Sequence, residues 1–589
     1  MSSTPPPPPP GPQGQDGPWG ASPPSSVPPP PGAPPTGPPP GDVVSYGYGG
    51  DGGPMPPEPP RRGRRRALVL GGALVGVLAL SGAGWWAWAA FTQQGDQPAE
   101  ALPASTVGYV AVDLDPSGAQ KLEAIRTLRK FPAFTEATGL DVDDDVRERI
   151  FDEISAEADC DVDYAADVEP WLGNRFAVAA VPADDAGGGD DPVVPVGVLQ
   201  ITDAGAAEDG LTTLADCGDG GEGGFAVGDG WAVVAETDEI AAAVLDAGAD
   251  DPLSDDGDYQ EWTDAAGDAG IVSAYAAPGA GDLIAEAMTS ELGGGDVCVD
   301  DPFCDDFSPL GPDAAIIEQA LGDFDGAALT VRFDGGALEV ESAFSGGAGL
   351  AGALTGGSLL GSGGDAYTTV GSLPADTVLA YGLGHEPGWV EQLVGQFGAM
   401  SGLGEDDLDQ AFAEAEAELG ISVPEDLETL LGESVAVSLG DVSDLDLDAL
   451  ATDPTGLPLT VKVQGDAEEI DGVLDTLLAN PALGPDAALV QRASDDDTVV
   501  VGFDEARAES MLDDGGLGDS DVFRSAVPDA EGATGIFFAD LGAVDPLLDQ
   551  LADAGEPELA DNLRPLEAIG MSSSDDDGVT HGLLRVTTD

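Results

Sequence analysis

Leu102-Pro103-Ala104-Ser105-Thr106-Val107 returns later in the chain as Leu373-Pro374-Ala375-Asp376-Thr377-Val378. A single match of this length is noise, but others follow in the same order. Trp171-Leu172-Gly173 ahead of Phe176-Ala177-Val178 answers to Leu430-Leu431-Gly432 ahead of Val435-Ala436-Val437. Residues 195–204 answer to 458–467, and 231–245 to 498–512. Gly270-Ile271-Val272 answers to Gly535-Ile536-Phe537, and 327–344 to 571–587. Six blocks keep their order, five at an offset near 260–270 residues and the last at about 244. A period this long means two tandem domains and not a solenoid.

Within each copy the apolar spacing changes character. Residues 106–113, 176–181, 193–202, 232–236 and 271–276 read as strands. Residues 117–131, 237–247, 258–266 and 281–292 read as helices; in the first of these Leu122, Ile125, Leu128 and Phe131 share a face. Residues 327–344 read as a hairpin turning at Asp334-Gly335-Gly336. Hairpins mixed with single helices predict an α+β fold: two homologous domains, 102–345 and 367–589, each an antiparallel sheet with helices packed on one face. The Gly-rich stretch 346–366 reads as the linker between them.

Ahead of the first copy, residues 67–91 hold no charged side chain. They follow Arg61, Arg62, Arg64, Arg65 and Arg66 and end in Trp85, Trp86 and Trp88. At about 1.5 Å per residue this stretch reaches roughly 37 Å, enough to span a membrane as one helix. The arginines place its start in the cytoplasm, and the tryptophans suit the outer interface. The run is too long for a cleaved signal and lies too far from the start, so it reads as a retained anchor. Gly72 and Gly76 have the spacing of a helix-pairing face, but with 85 glycines in the chain that spacing decides nothing. Residues 1–66 are Pro/Gly-rich and cannot build a core; they read as a disordered cytoplasmic tail that a polyproline-reading domain could hold. Residues 92–101 read as a linker.

The formal net charge is −92, yet only four of the 111 acidic residues precede Ala67. The portion expected outside the membrane is therefore strongly anionic, which excludes nucleic acid as a partner and disfavours anionic lipid. It suits a salty habitat or the attraction of cations. The four cysteines, Cys160, Cys217, Cys298 and Cys304, are an even number in an oxidising compartment, so disulfides are expected. Three pairings exist; Cys298 with Cys304 closes the shortest loop and leaves Cys160 with Cys217. A zinc site is not expected, because no Cys-x-x-Cys occurs and the histidines are His385 and His581 alone.

The basic arm and span, followed by Leu102–Val107, Asp113-Leu114-Asp115-Pro116-Ser117 and Leu128-Arg129-Lys130-Phe131-Pro132, resemble an actinobacterial membrane-anchored family. That family is catalogued only as a domain of unknown function (the 3352 series). The resemblance covers roughly 67–589. It implies a plasma-membrane protein with a large extracellular part, and it implies no activity.

Lys121, Arg126, Arg129 and Lys130 gather four basic residues within ten positions, with 126, 129 and 130 on one helical face. They form a candidate anion site, for a phosphate of a headgroup or wall polymer; pairing with neighbours such as Glu123 and Glu136 is the competing reading. Asp141-Val142-Asp143-Asp144-Asp145 starts like a calcium loop, but Val146 and Asp152 stand where glycine and glutamate are needed. No dedicated cofactor is expected, with adventitious calcium left open. Neither His385 nor His581 has a Gly-x-Ser-x-Gly partner, and there is no P-loop. The sequence thus points to a non-enzymatic binding or scaffolding module for an unknown envelope ligand or protein, of open oligomeric state. Two alternatives stand beside it. One is a carrier of an apolar ligand such as a lipid, marked by an apolar cavity. The other is a hydrolase of wall polysaccharide, marked by two carboxylates of raised pKa in a cleft.

Overall fold

The computed structural model describes residues 97–114, 124, 126–133, 147–149, 151, 162–187, 192–215, 223–281, 283, 324–345, 363–391, 405–443, 445, 454–553, 555–576 and 578–589. The expected tail 1–66 and span 67–91 lie outside them, and so do all four cysteines, Lys121 and the Asp141–Asp145 run. Among the described residues no helix is long and apolar enough to cross a membrane.

Among the described residues sixteen strands form one sheet, and each neighbouring pair is antiparallel. The first half supplies β1 (Gly108–Asp113), β2 (Leu172–Pro182), β3 (Val193–Ile201), β4 (Gly224–Val227), β5 (Trp231–Ala235), β6 (Val272–Ala276), β7 (Gly326–Asp334) and β8 (Ala337–Ser345). The second supplies β9 (Leu379–Gly384), β10 (Ser434–Leu439), β11 (Leu459–Gln464), β12 (Gln491–Ser494), β13 (Thr498–Gly502), β14 (Gly535–Asp540), β15 (Leu566–Asp576) and β16 (Val579–Thr588).

From one edge inwards the order is β4-β5-β3-β2-β1-β6-β7-β8; from the other it is β12-β13-β11-β10-β9-β14-β15-β16. The two halves therefore have the same topology, and their last strands, β8 and β16, pair with each other at the centre. The closing hairpins superpose at an offset of 242 residues, since Asp334 faces Ala337 across one and Asp576 faces Val579 across the other. At that offset Glu341 corresponds to Leu583, and these two residues are paired in the β8–β16 ladder. A local two-fold axis runs through that pair.

Helices cover both faces of the sheet, where the apolar patterning predicted one. In β5 the run Trp231-Ala-Val-Val-Ala is apolar on both sides, so each face needs a cover. Trp231, Val233 and Ala235 pack with Ala241 and Val244 of α2 (Asp238–Asp250), while Ala232 packs with Ala207 and Leu211 of α1 (Ala204–Ala215). α3 (Gly257–Ala265) lies on the α2 side and brings Trp262 into that core. The second half repeats the arrangement. α4 (Ala467–Leu478) packs Ile470 on Val435, Val463 and Val499; α5 (Glu505–Ser510) and α6 (Asp521–Ala526) pack Ala508 and Phe523 on Ala436, Val500 and Phe538.

The helix starts are written in the sequence. Thr237 accepts a hydrogen bond from the Ile240 amide at 3.2 Å, Asp256 from Tyr259 at 2.9 Å and Ser520 from Phe523 at 3.4 Å. Each satisfies one amide that the helix itself leaves open.

Candidate functional site

The basic cluster sits where the two halves meet. Ala124 and Leu128 are buried against Ile271, Val331 and Phe333 on the face opposite α3. That burial turns Arg126, Arg129 and Lys130 outwards, and all three are exposed. The helical stretch ends as the Lys130 and Phe131 amides bond back to Thr127 and Leu128, just before Pro132.

Lys130 then reaches into the second half: Nζ donates to the Thr588 carbonyl at 3.2 Å and to its Oγ1 at 2.8 Å. Three residues on, the Ala133 amide donates to Asn562 Oδ1 at 2.8 Å. Arg126 and Lys130 line a cavity of about 450 Å³ together with the Gly335-Gly336 turn, Glu567 and Thr588. The structure thus brings two of the four expected basic residues to one cavity. Arg129 is not on its wall, and Lys121 lies outside the described residues. Arg126 has no hydrogen bond or ion pair among the described residues. Glu567 adds one carboxylate to the lining.

A partly buried ion network centred on buried Glu339 crosses the same junction. Glu339 on β8 accepts from Arg332 Nε at 2.8 Å within its own half and from Arg585 Nη1 on β16. Arg332 also binds Glu341 at 2.6 Å, and Arg585 Nη2 donates to the Asp334 carbonyl at 3.2 Å. Burial pushes the Glu339 carboxyl above the ordinary range, against the pull of the Arg585 and Arg332 guanidiniums. Asp334 adds a smaller upward push, but the groups bonded to Glu339 are the two guanidiniums.

His385 follows β9 and is 5 % exposed. Its ring stacks on Trp389 with centroids 4.2 Å apart and planes 11° from parallel. Neither ring nitrogen has a hydrogen-bond partner among the described residues, and burial lowers its pKa to about 4. Among the described residues no serine or carboxylate orients it as a catalytic base would be oriented. His581 lies in the β16–β8 ladder opposite Ala343. Among the described residues no group of three His, Cys, Asp or Glu side chains could hold a metal ion.

Residues 69–223 match the family model described as "Protein of unknown function (DUF3352)". The DUF3352 match starts inside the expected span and ends just before β4. It therefore takes in β1 to β3, α1 and the basic cluster, and leaves the second half outside. No curated protein and no solved structure matches the chain.

The sequence missed Asp113 and Arg175, which the sheet places side by side with Arg175 Nε 2.7 Å from Asp113 Oδ2. A signal was present. In β2 the residues 175, 177, 179 and 181 all point inwards, and Arg175 is a charge in an otherwise apolar series.

Proposed function

We propose that this chain is a single-pass plasma-membrane protein whose extracellular part is a binding or scaffolding module, with the cavity between its halves as the site for a phosphate-bearing group. The arginine flank and uncharged stretch 67–91 support the anchor, with the Pro/Gly-rich tail in the cytoplasm as a ligand for a polyproline-reading domain. The two homologous halves would act as one rigid platform. Disulfides Cys160–Cys217 and Cys298–Cys304 would brace its loops.

One observation carries the ligand reading. In a chain of net charge −92, Arg126 and Lys130 converge on a single cavity, and Lys130 is held in place by Thr588. Two cations in a concave site, one of them held, favour an anion that the surrounding surface would repel.

The test is calorimetric titration of the full-length protein in detergent with inorganic phosphate, at low and at physiological salt. Binding that weakens with salt and falls at least tenfold in Arg126→Ala supports the reading. No heat from wild-type protein at low salt rejects it.

A further inference from the structure

We propose that the first half binds a small neutral polyhydroxylated molecule, a polyol or a single sugar ring, in the cavity between α3 and strands β1, β2 and β6. This site is separate from the junction cavity and does not depend on the reading given for it.

The cavity measures about 170 Å³. A dry cavity of about 150 Å³ accommodates benzene, so this one holds a molecule of similar or slightly larger size. Its walls are mixed: Pro98, Ala99, Ala111, Val112 and Ile271 give apolar surface, and polar side chains are set among them. Asp113 and Arg175, only 8 % and 7 % exposed, form an ion pair on the floor. Tyr109, Tyr259, Asp264 and Ser273 add hydroxyls and a second carboxylate. Tyr259 packs edge-on against both Tyr109 and Tyr275, with centroids 5.8 and 5.1 Å away and planes at 80° to each. Burial pushes the Tyr259 hydroxyl up to about 12 and Tyr109 above its ordinary value, so both stay protonated near neutral pH; the two hydroxyls bond each other, and Tyr109 also meets the Ala99 backbone.

The chemistry narrows the ligand. An apolar molecule would strip water from buried polar groups without replacing their hydrogen bonds. An anion would meet Asp113 and Asp264 against a single guanidinium. A neutral polyol offers donors and acceptors together, which suits a wall of hydroxyls, carboxylates and one guanidinium.

The second half is the internal control. The ladders equate Tyr109 with Ala380, Asp113 with Gly384 and Arg175 with Ser434. They likewise equate Ser273 with Ile536 and Tyr275 with Phe538. The matching helix caps, Asp256 and Ser520, equate Tyr259 with Phe523 and Thr263 with Val527. Ile536, Phe538, Phe523 and Val527 are at most 2 % exposed and share one apolar cluster. Where Asp113 extends its carboxylate, the Gly364 backbone lies 2.3 Å from any Cβ placed on Gly384. The same fold therefore fills this space with apolar side chains in one half and keeps it open, with polar groups on its walls, in the other. The architecture does not require this cavity or its polar groups, which is what assigns them to a ligand.

The experiment is saturation-transfer NMR on the full-length protein with glycerol, xylose and glucose as probes, and with inorganic phosphate as competitor. The variant is Ser273→Ile, which installs the residue the second half carries. Transfer to at least one probe, unaffected by phosphate and weakened at least tenfold in Ser273→Ile at an unchanged or higher melting temperature, is expected. Should that variant not fold, Tyr109→Phe removes one hydroxyl and keeps the ring, and the same weakening is expected. Absence of transfer to all three probes, displacement by phosphate, or equal binding by the variant overturns the proposal.

Discussion

Glu341 and Leu583 face each other across the β8–β16 ladder and occupy the same position of their two hairpins. The backbone of the junction is two-fold; its charges are not. Glu341 binds Arg332, and Glu339 gathers Arg332 and Arg585, whereas their counterparts at the offset of 242 residues are Leu583 and His581. One half supplies the buried carboxylate and the other an arginine that answers it.

Arg585→Met should therefore weaken the junction specifically. Its partner Glu339 has a side chain only 5 % exposed and would keep Arg332 alone as counter-ion. Removing one member of a buried charge group costs about 3 kcal/mol. Urea denaturation measures this, with Arg524→Ala as control. The carboxylate partners of Arg524 are nearly fully exposed, and no measurable change is expected there. Equal effects from the two substitutions would show that the buried network does not hold the halves together.

Lys462→Met should stabilise the protein. The ladders equate Lys462 with Val198, and both are buried, at 3 % and 0 % exposure. Burial lowers the pKa of Lys462 from its usual 10.5 despite the nearby carboxylates of Asp514 and Asp495. A lysine of lowered folded-state pKa is a penalty at neutral pH that fades as the pH rises towards 10.5. Thermal unfolding at pH 7 should show a gain of about 1–2 kcal/mol for the methionine variant, and the gain should shrink at pH 10. A loss at pH 7 contradicts this account.

His385 should set part of the acid limb. Its folded-state pKa of about 4 lies below the ordinary 6.5, so the unfolded chain takes up a proton first. Stability from this group is complete above pH 6.5 and is lost as the pH falls towards 4, up to about 3 kcal/mol. His385→Phe keeps an aromatic ring on Trp389 and removes the titration. Its unfolding free energy should change less between pH 6.5 and 4 than that of the wild type, and parallel curves would exclude His385 as the source.

Two glycines should respond in opposite senses to alanine. A Cβ on Gly384 would lie within 2.5 Å of backbone atoms of Gly364 and Asp365, so Gly384→Ala should cost about 3 kcal/mol. Gly472, inside α4, has nothing within 4 Å of that position, and Gly472→Ala should stabilise by up to about 1 kcal/mol. Calorimetric unfolding of both variants would distinguish a steric requirement from mere tolerance.

The halves were legible because duplication leaves paired landmarks. Leu102 and Leu373 are both fully buried, and the bridge Pro103–Pro252 recurs as Pro374–Gly516. The strand at 193–202 and the hairpin at 327–344 match β3 and β7–β8 to within a residue or two. One refinement comes from the ladder, which shifts the 195–204 block by a residue and equates Lys462 with Val198 in place of Leu199. What stayed hidden depends on pairing between distant strands. Nothing local says that β8 will seek β16, because either could serve as an edge. Arg332–Glu339 is a hairpin neighbour pair, while Arg585–Glu339 spans 246 residues. Asp113 and Arg175 are likewise 62 residues apart and meet only through the β1–β2 register. Lys130 was readable as basic, but its grip on Thr588 needed the last residues of the chain.

The central pairing also dictates an order of events during synthesis. β8 leaves the ribosome about 240 residues before its partner β16. At roughly 5–20 residues per second, that leaves one edge of a nine-residue strand, paired only with β7, open for about 12 to 48 seconds. During that interval the nascent first half carries an open ladder that any second nascent copy could occupy, and the two-fold match of β8 to β16 makes another β8 a ready substitute. Ribosome spacing and the speed of chain delivery thus become determinants of whether one molecule closes on itself or two become entangled.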